Sequence, residues 1–139
     1  MKAKDLKFED IKTGDSAAFD VTIREEDVQK FAELSGDYNP LHVDEEYAKG
    51  TDFGERIVHG MFLGALVSRL VGMELPGKRA LLMKETLEFK KPAHVGDHLT
   101  VMGTVVHKSE ALRLLELLLE IRTEKELLAT GTVHVQVLR

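Results

Sequence analysis

Residues 60–72 read Gly-Met-Phe-Leu-Gly-Ala-Leu-Val-Ser-Arg-Leu-Val-Gly, thirteen residues with a single charge. The run is well short of the roughly 20 apolar residues that cross a bilayer. It is apolar nearly all round, so if helical it is a buried helix and not an amphipathic surface one. The rest of the chain, beyond the turn at Pro76-Gly77, reads as strands. Leu81, Met83, Leu87 and Phe89 alternate with Lys84, Thr86, Glu88 and Lys90, the period of a half-buried strand, with Glu85 as the one exception. Residues 92–97 form a turn, 99–106 are rich in β-branched side chains, and 129–138 carry Val133, Val135 and Val137. Residues 111–120 fit two patterns. Arg113, Glu116 and Glu120 fall on one helical stripe of high propensity, whereas Leu115, Leu117, Leu119 and Ile121 share one strand face. A strand is expected there, because the neighbours are strands and tertiary context overrides propensity.

The first half is helical and loop-rich. A strand over 16–21 comes after the turn Thr13-Gly14-Asp15, and Thr22-Ile23-Arg24-Glu25 has the spacing of a capping box. Val28, Phe31, Ala32 and Ser35 then mark one helical face, with Gly36 placed to end it. Residues 37–43 are expected to be irregular around Pro40, and Asp44 to cap a short helix over 45–48 closed by Gly50.

A chain of 139 residues suits a single domain, 1–139. The net charge of −5 speaks against a nucleic-acid surface, which needs clustered Lys and Arg. There is no cysteine, hence no thiolate nucleophile and no Cys-ligated zinc. Met1 to Lys7 lack the apolar run of a signal peptide, so a soluble, cytoplasmic protein without membrane attachment is expected.

The densest polar cluster is Asp37-Tyr38-Asn39-Pro40-Leu41-His42. A turned loop could bring Asp37 and His42 to one water molecule and perform acid–base chemistry near neutral pH. In the plain alternative Asp37 and Asn39 only form a turn with Pro40. Gly60 opens the apolar helix, whose first N–H groups lack internal partners and carry the positive dipole end. A glycine there lets a carbonyl approach as it would an oxyanion site, although tight packing is the competing reason for it. His59 reads as a structural hydrogen-bonder, and Ser68 as a side chain bonded back to its own helix. His94 and His98 are poor zinc ligands, since Pro92 and Gly96 place them in a turn. Neither a serine-hydrolase elbow nor a dinucleotide fingerprint occurs.

Two segments together, Gly36-Asp37-Tyr38-Asn39-Pro40-Leu41-His42-Val43-Asp44 and Phe53-Gly54-Glu55-Arg56-Ile57-Val58-His59-Gly60-Met61, resemble the hydratase motif of MaoC-like (R)-specific enoyl-CoA hydratases. Leu75-Pro76-Gly77-Lys78 and Phe89-Lys90-Lys91-Pro92 with Val95-Gly96-Asp97 continue the likeness. The resemblance implies an α+β hot-dog fold, an antiparallel sheet wrapped around a long central helix. It also implies a homodimer or dimer of dimers with active sites at the subunit interface. By the same resemblance Asp37 and His42 are the catalytic pair that activates water, and the Gly60 N–H polarises the thioester carbonyl. Asn39 shapes the loop, His59 supports it, and Ser68 is the active-site serine of the central helix. No metal or other cofactor is implied, and coenzyme A or acyl carrier protein carries the substrate. A 3-hydroxyacyl-acyl carrier protein dehydratase and a hot-dog thioesterase are the competing activities.

Overall fold

A computed structural model describes residues 1–139. Five antiparallel strands, β1 (Ser16–Thr22), β2 (Ala80–Phe89), β3 (His98–Ser109), β4 (Leu114–Arg122) and β5 (Leu127–Val137), form one sheet in the order β1-β3-β4-β5-β2. Helices α1 (Glu25–Ser35), α2 (Pro40–Val43) and α3 (Glu45–Lys49) precede α4 (Gly60–Arg69), which runs on into a π-helical turn, Leu70–Glu74. Leu63, Leu66, Val67, Leu70 and Val71 of this central segment join one hydrophobic cluster with Val101, Val105, Leu117, Val133 and Val135 of the sheet. This is the hot-dog arrangement. Its helix–sheet contact is close: a Cβ on Gly103 would stand 2.9 Å from Leu70 Cδ2.

The ambiguous leucine-rich segment is strand β4. Leu117 pairs with Val105 on one side and Val133 on the other, and Leu115, Leu117, Leu119 and Ile121 are buried. A strand in the middle of a sheet satisfies its backbone on both edges while sinking every second side chain. That outweighs the helix propensity of Leu, Glu and Arg.

Local expectations needed correction at four places. Thr22 does not cap α1. It ends β1, paired with His98, and its hydroxyl lies 3.0 Å from His98 Nδ1. Ile23 is buried and donates its N–H to the Asp97 carbonyl, so the helix starts later in the chain. Arg24 is the N-cap, with its backbone N–H on Asp27 Oδ2 at 3.1 Å. Residues 37–43 are not irregular throughout, because Pro40 begins α2, where its missing N–H would have been unpaired in any case.

The third correction concerns α4, which is not enclosed on all sides within one chain. Met61, Ala65 and Ser68, spaced at i, i+4 and i+7, form an exposed stripe, and Met61 is 64 % exposed. The outer edge of β2 is unpaired, and Leu81, Leu82 and Met83 are exposed along it. Fourth, a bulge between Leu82 and Lys84 reverses the parity of β2, so Leu81 and Leu87 lie on opposite faces. Glu85, opposite the fully buried Val133, therefore shares the inward face with Leu87 and Phe89. No helix is long and apolar enough to cross a membrane.

Candidate active site

Helix α1 ends at Gly36, whose φ of 76° is the left-handed conformation that glycine adopts without strain. The chain then folds through two successive side-chain turns. Asp37 Oδ1 accepts the Asn39 N–H at 3.1 Å, and Asn39 Oδ1 accepts the Leu41 N–H at 3.0 Å. Asn39 is thus the N-cap of α2, and α2 carries His42 at a fixed angle to Asp37.

The His42 ring is oriented from a distant segment. Its Nδ1 lies 2.8 Å from the Ile57 carbonyl oxygen. A carbonyl can only accept, so Nδ1 carries a proton, and in the neutral imidazole Nε2 presents the lone pair. That lone pair faces Asp37 Oδ2 at 4.0 Å, too long for a direct hydrogen bond and suited to a shared water. Asp37 is half-exposed, so solvent reaches the pair.

His59 lies beneath. It is 2 % exposed, stacks on His42 with centroids 4.0 Å apart and planes 29° apart, and leans against Phe31 of α1. Its Nε2–H donates to the Asp37 backbone carbonyl at 2.9 Å, leaving Nδ1 buried and unpartnered. His59 therefore holds the loop from below, with no approach to solvent. The ligand atoms of Asp37, His42 and His59 fall within 4.8 Å of one another, a separation a metal could bridge. Direction argues against it. Imidazole lone pairs lie in the ring plane, so stacked rings present theirs side by side and not towards one point. Each ring also has one nitrogen committed to a carbonyl.

Gly60 starts α4, and its N–H donates to no backbone carbonyl; the preceding His59 supplies no side-chain cap. The positive end of the helix is thus open beside His42. Gly60 and His42 line one cavity of about 290 Å³, together with Phe53, Leu63, Phe89 and the lysine pair Lys90–Lys91. A Cβ on Gly60 would stand 3.1 Å from Phe89 Cζ, so the glycine also lets the Phe89 ring pack closely over the start of α4. Of the six residues that the sequence singles out, Asp37, Asn39, His42, His59 and Gly60 converge here. Ser68 does not: it lies eight positions along α4, about 12 Å down the axis at 1.5 Å per residue, on the exposed stripe.

Arg56 is a residue that sequence reasoning missed. It is largely buried, and it bonds Glu45 Oε2 at 3.0 Å and both carboxylate oxygens of Glu25. It also donates to the His42 carbonyl at 3.3 Å. One guanidinium thereby ties α1, α3 and the backbone of the histidine that faces Asp37. Nothing local flags it, since Glu25 is 31 positions away. The Arg56 hydrogen bonds hold the Glu25 carboxyl below the usual carboxylate range, and Glu25 in turn raises Arg56. Stability from a carboxyl so lowered is present above the ordinary carboxylate pKa and is lost as pH falls through the lowered value. Arg56→Met is therefore expected to lower the urea midpoint at neutral pH, with the gap to the parent closing below about pH 4. Turnover should fall about tenfold as the His42 backbone loosens.

A MaoC like domain matches residues 8–117, and the chain belongs to that family. Among relatives, the (R)-specific enoyl-CoA hydratase of Rhodospirillum rubrum is 46% identical over 108 residues, covering 76% of this chain and 75% of that one. Among solved structures, the unliganded R-hydratase PhaJ1 of Pseudomonas aeruginosa superposes with a TM-score of 0.92 at 31% identity, over 99% of this chain and 88% of that one. The (R)-hydratase of A. caviae involved in PHA biosynthesis gives 0.88 at 37% identity, over 91% and 97%.

Proposed function

We propose that this protein is an (R)-specific enoyl-CoA hydratase, a hydro-lyase that adds water to trans-2-enoyl-CoA and, in reverse, dehydrates the 3-hydroxyacyl thioester. One observation carries the reading: His42, whose Nε2 lies 4.0 Å from Asp37 Oδ2, lines the same cavity as Gly60, whose N–H is open.

These positions set the chemistry. The thioester oxygen accepts the Gly60 N–H, and the helix dipole stabilises the negative charge that develops as C3 is attacked, an effect of about 3 kcal/mol for one well-placed donor. Water held between His42 Nε2 and Asp37 Oδ2 forms its C–O bond to C3 while Nε2 takes one of its protons. The C2=C3 π electrons move to C2 and the carbonyl, and a proton is returned to C2 from the same face. Asp37 orients the water, receives the proton from His42 Nε2 and passes it to C2, which returns both groups to their starting state. Both groups act on one water, so the two roles belong to the pair. No metal or redox group takes part in these steps, and coenzyme A is the substrate's carrier.

The exposed α4 stripe and unpaired β2 edge support a homodimer in which a second copy covers Met61, Ala65 and Ser68. In that dimer Ser68 lies at the contact with the second copy. A cytoplasmic location belongs to the same reading. The test is loss of enoyl absorbance with crotonyl-CoA, chiral analysis of the product, and the same rate with crotonyl-acyl carrier protein. Formation of (R)-3-hydroxybutyryl-CoA, faster than on the carrier protein, is expected. Release of free thiol without hydration would identify a thioesterase instead.

A further inference from the structure

The acid that interrupts the alternation of β2 has no part in the hydration chemistry of Asp37, His42 and Gly60. Glu85 lies on the inward face, and its Oε1 is shielded from solvent without any hydrogen-bond partner. It is directed at α4, since a Cβ on Gly64 would stand 3.2 Å from that oxygen. Burial alone raises the carboxyl above the usual range, with no charge opposing it. An unpaired carboxyl at a position flanked by Leu87 and opposite Val133 is costly, and an aliphatic side chain would fit the surrounding pattern better. Such a group is retained where its polarity acts on something.

Its position relative to the substrate is set by the packing of β2 along α4. Phe89 covers Gly60, and one turn further on Leu87 and Glu85 meet Gly64. Lys90 and Lys91 line the cavity at Gly60, their ammonium groups paired with the surface carboxylates of Glu88 and Glu126, pairs weak enough for the phosphates of the carrier to displace. With the carrier bound there, an acyl tail directed away from the lysines would run along α4 towards Gly64. Gly64 lies about 6 Å along the axis from Gly60. An extended chain of about 1.5 Å C–C bonds advances roughly 1.3 Å per carbon, so its fifth and sixth carbons arrive there.

We propose that Glu85 sets the acyl-chain limit of this site, its carboxyl standing where the fifth and sixth carbons of a longer chain would lie. The inference rests on the hydratase reading. A four-carbon chain ends short of the carboxyl, whereas a longer one must strip its remaining hydration and give nothing in return.

The experiment compares kcat/KM on four-, six- and eight-carbon trans-2-enoyl-CoA for the parent protein, Glu85→Leu and Glu85→Gln. The parent should favour the four-carbon substrate. Glu85→Leu should raise the eight-to-four ratio at least tenfold, mainly through KM. Glu85→Gln, equal in volume and still polar, should move it less than threefold. The dissociation constants of butyryl-CoA and octanoyl-CoA, measured by calorimetry on the same proteins, should shift in the same order. Ratios unchanged within twofold in Glu85→Leu, or an equal rise in Glu85→Gln, would overturn the inference. If Glu85→Leu does not fold, the parent's own preference decides: an eight-carbon substrate turned over as well as the four-carbon one refutes the limit. Failure of the hydratase reading looks different, because no enoyl-CoA would then be hydrated at all, while the binding ratios would still report on Glu85.

Discussion

His42→Ala is expected to lower crotonyl-CoA hydration about a thousandfold, the scale of a lost general base, while the protein remains folded. The variant removes the only nitrogen in the cluster that is both bare and open to the cavity, since the free nitrogen of His59 is buried beneath it. Asp37→Asn should cost about a hundredfold, because the amide still holds the Asn39 N–H through its oxygen but cannot carry a proton. Asn39 N–H exchange or circular dichroism should match the parent in both cases. The double variant should be barely worse than His42→Ala, since the two groups act on one water. Near-parental rates in both single variants would sink the assignment.

The second large effect falls on stability, far from the pair. Gly131→Ala places a Cβ 1.9 Å from the Thr86 carbonyl oxygen, backbone that cannot swing aside as a side chain can. Strand β2 must then part from β5, weakening the Leu87–Gly131 and Phe89–Ala129 pairings. A loss of about 3 kcal/mol in urea unfolding is expected, at the upper end of overpacking costs. Activity should fall as well, because β2 is what brings Phe89 over Gly60. Gly72→Ala is the control: a Cβ there meets nothing within 4 Å, and stability should stay within about 1 kcal/mol of the parent. Equal effects from the two substitutions would show that the β2–β5 contact is looser than this packing requires.

The strands were legible where one face is buried and the other wet. Leu115 to Ile121 fitted helix and strand alike, and the strand reading came from its strand neighbours; burial of alternate side chains between β3 and β5 decided it. The end of α1 at Gly36 and the Asp44 cap of α3 were legible because caps are written within a few residues. The start of α1 was not. Thr22 and Glu25 satisfy the spacing of a capping box, but Thr22 is claimed by its pairing with His98, a residue 76 positions away. The bulge in β2 was equally hidden, since it depends on the registry of Leu82 with Val135 and Lys84 with His134.

At the site, the residues were legible and their states were not. The family resemblance singled out Asp37, Asn39, His42, His59 and Gly60, whereas the residues by themselves left the Asp37–His42 loop open to a plain turn and Gly60 to tight packing. Only tertiary structure decided which nitrogen of His42 is bare, through the Ile57 carbonyl fifteen residues on. It likewise decided that His59 lies under His42, and that Arg56 reaches back to Glu25. It left Ser68 on an exposed stripe of α4, apart from Asp37 and His42. Periodicity and caps are local and survive in one dimension. Protonation, stacking and closure depend on partners brought from elsewhere, and those exist only once the chain has folded.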